Sequence, residues 1–368
     1  IANCRMDKQV TVLEEVKKTY NPIINYLKAL GIILMVFGHS ESAIPHAMSF
    51  VQMFHMPLFF IASGYCFKEK YILAPKSYAY NKVRGIWWPY VKWSLLFLLL
   101  HNVFFSLNLY NGEYGWRGSV SHLYTLSEFM GLVYTILIKM QGHEQLLGGY
   151  WFMNALFFGS LIAWIMIRYV KSPIIGGCAL LIVCTVLNKT CLHLPVFGIS
   201  SQAFAAALLI LIGYSLSKYK IKPFTYWQIC VALVLTLLGS FLWNMPMNQD
   251  SYSNKYFALY IVTASLASWS FYSLFDKMKS SQGVCVKALD FIGKNTLTIL
   301  TWHFLAFKLV SLLIIGIYDL PIERLAEFPV ITEYSQQGWW IAYFMVAMVV
   351  TCGIAYCNKW IKNNWLKL

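Results

Sequence analysis

The chain has 368 residues, of which 59% are hydrophobic and only 12% are charged, and its mean hydropathy is positive. A soluble domain of this size carries about twice that charged fraction, so the composition excludes an ordinary water-soluble fold. The formal net charge of +14 does not indicate a nucleic-acid partner, because lysine and arginine collect in the cytoplasmic loops of membrane proteins.

The first 22 residues (1–22) form a polar tail that has no apolar core. A secretory signal peptide needs such a core, so no cleaved signal peptide is predicted. The nine cysteines show no metal-ligand spacing, and most fall in or beside apolar runs, where they act as small hydrophobes. The sequence therefore predicts neither a disulfide framework nor a metal site.

Apolar segments of about the length that a bilayer requires then follow one another along the chain. They lie at 23–39, 50–67, 86–107, 150–169, 173–188, 201–217, 226–243, 256–275, 290–316 and 338–358. A further stretch, 124–140, is interrupted by charged residues and is interpreted as an interfacial or re-entrant helix. The prediction is an all-α polytopic membrane protein with about ten transmembrane helices, which together form one membrane domain, 23–358.

The loops between these segments alternate in charge. Loops on one side, together with both chain ends, hold several times as many lysines and arginines as the loops on the other side. Because positively charged loops stay in the cytoplasm, both termini are predicted to be cytoplasmic. The polar ends, 1–22 and 359–368, are then cytoplasmic tails.

The first apolar segment carries two ionisable residues on one face. Lys28 and His39 are eleven positions apart, about three helical turns, so their side chains lie on the same face about 16 Å apart along the axis. An ionisable residue inside a membrane span is costly and is by default a candidate functional residue. With the predicted orientation, Lys28 lies toward the cytoplasm and His39 toward the outer surface. A structural histidine, and a lysine that merely extends to the surface, are the alternatives.

Polar or basic residues also begin or interrupt the second, third, fourth and ninth segments. These are His55, Ser63, Lys82, Arg84, Tyr150, Trp151, Asn154, Asn295 and His303. Each of them alone is as readily explained by helix packing or by anchoring at a membrane surface. Together they place histidines in the predicted outer half of the membrane and cations in the inner half.

In this order the motifs resemble those of the membrane acyltransferase-3 family, which includes O-acetyltransferases of bacterial surface polysaccharides and fucose 4-O-acetylase-like proteins. The resemblance covers nearly the whole chain. In the first segment, a basic residue is followed by ten residues and then a histidine, and the second segment contains Pro-Leu-Phe-Phe-x-x-Ser-Gly. A basic pair precedes a proline in the third segment, and the fourth contains Trp-Phe. The ninth segment contains Gly-Lys-Asn-x-Leu with a following histidine. Two departures are Lys28, where members often have arginine, and the closer spacing of Lys82 and Arg84.

The resemblance implies an O-acetyltransferase, an enzyme that transfers groups other than aminoacyl groups, in the bacterial inner (cytoplasmic) membrane. Acetyl-CoA, or another short acyl-CoA, would supply the acyl group from the cytoplasm as co-substrate. The acceptor would be a sugar hydroxyl of a surface polysaccharide or a lipid-linked glycan. The implied partners are the donor, the acceptor and the lipid bilayer, without nucleic acid or metal, and a homo-oligomer is left open.

The same resemblance implies roles for individual residues. The donor-binding residues are Lys28, Lys82 and Arg84. The catalytic candidates are His39 as general base or transient acyl carrier, Glu41 as an orienting or acceptor-side carboxylate, and His303 for positioning or oxyanion support. The residues that would position the substrate are His55, Ser63, Tyr150, Trp151, Asn154 and Asn295.

A multi-pass transporter or glycan flippase is the alternative from another functional class. Such proteins have discontinuous helices and paired charges at the membrane midplane. Aspartate and glutamate are nearly absent from the apolar segments, which argues against an ion-coupled carrier. A non-catalytic scaffold gives no reason for the polar residues within the segments.

Overall fold

The computed structural model describes residues 21–115, 120–170, 172–190, 198–243, 247 and 256–364. Within these ranges the chain is helical and has no β-strand, which confirms the predicted all-α class. Most of the predicted amino-terminal tail and the last residues of the carboxyl-terminal tail lie outside the described ranges, as do parts of four predicted loops.

The described helices are numbered here in chain order. They are α1 (Pro22–His39), α2 (Ala47–Gln52), α3 (His55–Tyr65), α4 (Pro75–Lys82), α5 (Trp88–Ser106), α6 (Leu126–Tyr134), α7 (Trp151–Tyr169), α8 (Pro173–Thr190), α9 (Ser201–Lys218), α10 (Tyr226–Leu242), α11 (Phe257–Met278), α12 (Val284–Lys294), α13 (Thr296–Tyr318) and α14 (Trp340–Asn364). A π-helical turn, Val83–Trp87, joins α4 to α5, and a second one, Thr135–Lys139, continues α6. A 3-10 helix, Gln145–Tyr150, leads into α7.

Seven stretches of the described chain are long and apolar enough to cross a bilayer. They are Pro22–His39, Ala47–Tyr65, Gln145–Tyr169, Ser201–Lys218, Phe257–Met278, Thr296–Tyr318 and Thr332–Asn364. Two shorter apolar helices, Pro173–Val186 and Tyr226–Leu242, and α5 coincide with the other predicted segments. The chain is therefore a multi-pass membrane protein, whereas the number of ten spans and the orientation of the termini stay predictions.

The predicted ninth segment, 290–316, is not one helix but is divided at Asn295 into α12 and α13. Gly293 lies directly against the backbone of Asn25 in α1, so that the two helices are in close contact just before the break. The side-chain amide of Asn295 donates to the carbonyl of Phe291 at 2.7 Å and thereby satisfies one of the free carbonyls at the end of α12. The helix α13 begins after this break and carries His303, the histidine of the predicted ninth segment.

The predicted second segment, 50–67, is likewise interrupted, because α2 ends before α3 begins. Phe54 has a non-helical backbone (φ −143°, ψ −16°), and Pro57 lies in the first turn of α3, where its missing N–H costs no hydrogen bond. The helix α14 extends to Asn364, beyond the predicted end of the last segment at 358.

The helix α9 lies at the centre of the bundle and packs on α3, α7 and α8. It crosses α3 with the two backbones in contact. A β-carbon at Gly64 would meet the carbonyl of Ile210, and one at Gly213 would meet the carbonyl of Ile61. Glycine is therefore required at both positions for this close helix crossing.

We expect Gly64→Ala and Gly213→Ala to destabilise the protein by about 1–3 kcal/mol, because each adds a methyl group where a neighbouring backbone already lies. Gly316→Ala in α13 is the matched control. Among the described residues, no atom outside its own stretch of helix lies within 4 Å of its β-carbon position, and alanine favours a helix by up to about 1 kcal/mol. Thermal unfolding of the three purified variants checks this. Equal stability of the Gly64 and Gly316 variants would contradict the close crossing.

Candidate functional site

A cavity of about 540 Å³ lies between α1, α3, α4 and α7, and we call it the lysine cavity. Lys28 from α1, Lys68 from the loop after α3 and Lys82 from the end of α4 line it, together with mostly apolar side chains. Ser63 of α3 also lines it. The structure thus brings together two predicted donor-binding residues and one predicted positioning residue.

The lysine cavity reaches to within one helical turn of two histidines. Met35, four residues before His39, and Leu300, three residues before His303, both line the cavity. The two imidazole rings lie side by side with their centroids 5.5 Å apart. Phe304 packs against the ring of His39 at 4.8 Å. Two candidate catalytic residues that are far apart in the sequence therefore meet beyond the apolar end of the cavity.

The hydrogen bonds of His303 define its tautomer. The side chain is fully buried, and Nδ1 lies 3.0 Å from the carbonyl oxygen of Leu300 and 3.2 Å from that of Ile299. A carbonyl oxygen only accepts, so Nδ1 carries the proton and donates it. Nε2 then has a lone pair, and within the described chain it has no hydrogen-bond partner. This neutral imidazole is suited to accept a proton at Nε2.

Glu41 follows α1 and is held by the segment before α14. Its backbone is left-handed (φ 52°), and its carbonyl accepts a hydrogen bond from Nε2 of Gln336 at 3.1 Å. Burial raises the pKa of the Glu41 carboxyl, although a hydrogen bond with Thr332 opposes the shift. The carboxyl group therefore faces Thr332, and its proposed orienting role stays a prediction.

Two other predicted residues have hydrogen-bond partners outside the lysine cavity, and a third is exposed. His55 starts α3, and its Nδ1 donates to the carbonyl of Val51 at 2.9 Å. Asn295 is occupied in ending α12. Arg84 is exposed on the π-helical turn and is not among the residues that line the lysine cavity. Their roles in donor binding and substrate positioning stay predictions.

A second cavity of about 310 Å³, which we call the polar cavity, lies beside the first turn of α7. Tyr150, Trp151 and Asn154 line the polar cavity, whereas Phe152 and Met153 line the lysine cavity. One helical turn is therefore a wall between the two cavities. It presents predicted positioning residues to one cavity and apolar side chains to the other.

Hydrogen bonds fix this shared wall on both sides. The hydroxyl groups of Tyr150 and Thr301, the latter on α13, lie 2.6 Å apart. The side-chain amide of Asn154 donates to the carbonyl of Met140 at 3.3 Å and to that of Gly198 at 3.0 Å. Asn154 thus ties the end of the 124–140 stretch to α7, and its amide hydrogens are engaged in the fold.

A buried ion pair beside the polar cavity was missed by the sequence reasoning. His101 of α5 is 1% exposed and Glu144 is 4% exposed, and Nδ1 lies 3.1 Å from Oε1. Nε2 lies 3.0 Å from the carbonyl of His122, and the ring stacks on Tyr124. A carbonyl oxygen only accepts, so Nε2 carries a proton, and a second proton joins Nδ1 to the carboxyl group of Glu144. The criterion that selected His39, an ionisable residue in an apolar segment, would also have found His101.

Lys308 of α13 was also missed, although it lies in an apolar segment. It is 2% exposed, and its Nζ donates to the carbonyl of Glu327 at 2.6 Å. It follows His303 by five residues and therefore departs from the predicted pattern of cations in the inner half only. Among the described residues, no group of three or more His, Cys, Asp or Glu side chains could hold a metal ion.

Comparison with known proteins identifies a family. A family model described as "Acyltransferase domain" matches residues 21–359, which include every helix that forms the two cavities. The search of curated proteins found no match, and neither did the search of solved structures.

Proposed function

The chain belongs to the acyltransferase-3 family, and on that premise we propose that it is an integral-membrane O-acyltransferase acting on a glycan. An acetyl or other short acyl group comes from acyl-CoA on the cytoplasmic side and goes to a sugar hydroxyl of a surface or lipid-linked glycan. The observation that carries this proposal is the lysine cavity, which combines cations with an apolar interior and reaches toward His39 and His303.

The lysine cavity suits the two chemically different parts of acyl-CoA. Lys28, Lys68 and Lys82 supply the charge that the nucleotide phosphates need, because phosphate oxygens form their strongest hydrogen bonds with cations. The apolar wall beyond them suits the uncharged pantetheine arm. Lys28 and His39 lie on one face of α1 about 16 Å apart, so the arm would carry the thioester from the cations to the histidines.

The histidine pair supplies the proton transfers of the reaction. The acceptor hydroxyl attacks the thioester carbonyl, the C–S bond breaks, and the hydroxyl proton leaves through an imidazole to the CoA thiolate. His39 acts as this base, or it carries the acyl group between donor and acceptor. His303 is better suited to accepting a proton than to oxyanion support, because its one N–H donates to the carbonyl of Leu300.

Binding of acetyl-CoA to the purified protein tests the donor site. We expect Lys28→Met and Lys82→Met each to weaken binding by about tenfold, since each removes one charge-assisted phosphate contact. Lys76→Met is the matched control, because Lys76 is exposed on α4 and does not line the cavity. Isothermal titration calorimetry measures the three affinities. Unchanged affinity in both cavity variants would contradict the assignment, and absence of acetyl-CoA binding to the wild type would favour a transporter or flippase.

Acetyl-CoA binding should also depend on pH through Lys82. Burial lowers the pKa of the Lys82 ammonium to about 8. The charge is therefore present below pH 8 and lost above it, so we expect Kd to rise roughly fivefold to tenfold between pH 7.5 and pH 9. Lys82→Arg should remove this step, because a guanidinium stays charged in that range. Equal pH dependence of wild type and Lys82→Arg would contradict the contact.

A further inference from the structure

The polar cavity is lined by groups that form hydrogen bonds but offer little free charge. Gln141 and Gln202 supply amides, and Tyr150 and Trp151 supply aromatic rings. No lysine or arginine is among the described residues that line it, and the single acidic side chain among them, that of Glu144, lies 3.1 Å from Nδ1 of His101. This composition disfavours a phosphate or carboxylate ligand and suits a neutral molecule that has several hydroxyl groups.

The amide of Gln202 indicates that the cavity receives a ligand. Gln202 lies near the start of α9, is 4% exposed and lines the polar cavity. Its Nε2 is buried and has no hydrogen-bond partner within the described chain. An unpaired buried amide is costly, so the donor of Gln202 needs an acceptor oxygen, which a ligand or a water molecule in the cavity supplies. The cavity volume of about 310 Å³ is at the lower end of small-ligand sites.

The position of the polar cavity connects it to the site of acyl transfer. The turn that carries Tyr150 and Trp151 also forms a wall of the lysine cavity. Tyr150 is hydrogen-bonded to Thr301, which lies two residues before His303 on α13. A ligand in the polar cavity would therefore be separated from the donor and from the histidine pair by single helical turns.

We propose that the polar cavity binds an uncharged sugar residue of the acceptor. The ring lies against Trp151, as apolar sugar faces lie on aromatic rings, and a sugar hydroxyl or ring oxygen accepts a hydrogen bond from Nε2 of Gln202. This inference rests on the proposed function and adds to it the place and the neutral character of the acceptor sugar. A free glycan and a lipid-linked glycan would present the same chemistry here.

The test uses the whole chain in lipid nanodiscs, which avoids detergents with sugar head groups. Methyl glycosides of glucose, galactose, mannose and rhamnose are titrated, with glucuronic acid and glucosamine as charged counterparts, and binding is followed by calorimetry. We expect at least one neutral glycoside to saturate the protein and both charged sugars to bind more weakly. Gln202→Leu should raise the Kd for the neutral glycoside at least about fivefold and leave the Kd for acetyl-CoA within about twofold of the wild-type value.

Matched variants separate ligand binding from folding. Leucine has nearly the volume of glutamine and removes the unpaired amide, so Gln202→Leu should be as stable as the wild type. Gln228→Leu, at the start of α10 and outside both cavities, should leave glycoside binding unchanged. Trp151→Phe serves as a second cavity variant and should also weaken binding of the glycoside. Comparing octyl with methyl glycosides distinguishes a free glycan from a lipid-linked glycan as the acceptor, since a lipid-linked acceptor predicts tighter binding of the octyl form.

The outcomes that overturn the inference differ from those that overturn the proposed function. If acetyl-CoA binds but no neutral glycoside saturates, or if Gln202→Leu and Trp151→Phe bind it like the wild type, the sugar site is wrong and the donor site stands. Equal affinity for charged and neutral sugars would also overturn it. If acetyl-CoA itself does not bind the wild-type protein, the acyltransferase proposal fails instead.

Discussion

Replacement of His39 by alanine is expected to lower the rate of acyl transfer by about 10²–10⁴-fold while acetyl-CoA still binds. The imidazole lies beyond the apolar end of the lysine cavity, 5.5 Å from that of His303. The imidazole therefore lies where the thioester would react, and it lies away from the lysines that would bind the phosphates. Release of CoA from acetyl-CoA in the presence of an acceptor measures the rate, and calorimetry measures donor affinity.

His122→Ala is the control for this experiment, because the side chain of His122 is half exposed, lies beside Glu128 and lines neither cavity. We expect it to retain most of the transfer activity. Full activity of His39→Ala in the same assay would remove the catalytic role of His39. A parallel loss of acetyl-CoA binding would instead show that His39 supports the fold or the donor site.

The variant His303→Ala separates the two roles that His39 could have. If His39 carries the acyl group, His303 with its unpaired Nε2 is the base that activates the acceptor in the second half of the reaction. Loss of His303 would then leave acetyl-His39, which mass spectrometry of the quenched enzyme detects. If His39 is the general base, no acetylated histidine accumulates in either variant.

Helical periodicity and hydropathy were sufficient to predict the elements on which this site is built. The eleven-residue spacing placed Lys28 and His39 on one face of α1, and the structure extends a cavity along that helix from Lys28 to Met35. These are local properties of a helix. They follow from 3.6 residues per turn and need no knowledge of neighbouring segments.

The parts that the sequence did not predict depend on contacts between distant segments. The meeting of His39 with His303 requires the packing of α1 against α13, which no periodicity specifies. The break at Asn295 lies two residues after Gly293, which contacts the backbone of α1, whereas the apolar run in the sequence continues through it. Both breaks and cavities are therefore consequences of tertiary packing, whereas the apolar runs that build them are visible in the chain.

The role of His101 could not be predicted from the sequence for the same reason, because it depends on a loop residue more than forty positions away. We expect His101→Leu to destabilise the protein by about 3–5 kcal/mol, since it leaves the carboxyl group of Glu144 buried without the imidazole that pairs with it. The pair is nearly inaccessible to water, with side chains 1% and 3% exposed, so solvent screening does not reduce the effect. Thermal or denaturant unfolding in nanodiscs measures the loss.

The double variant His101→Leu/Glu144→Met separates the contribution of the polar pair to stability from the contribution of side-chain packing. Replacing a buried ion pair by apolar side chains of similar volume is often neutral, so we expect most of the lost stability to return. A double variant as unstable as His101→Leu would show instead that the stacking of His101 on Tyr124 carries the effect. Glu144 directly precedes Gln145–Tyr150, the helix that leads into the shared wall. Restored stability with impaired glycoside binding would therefore indicate that this buried charge pair holds the polar cavity in shape.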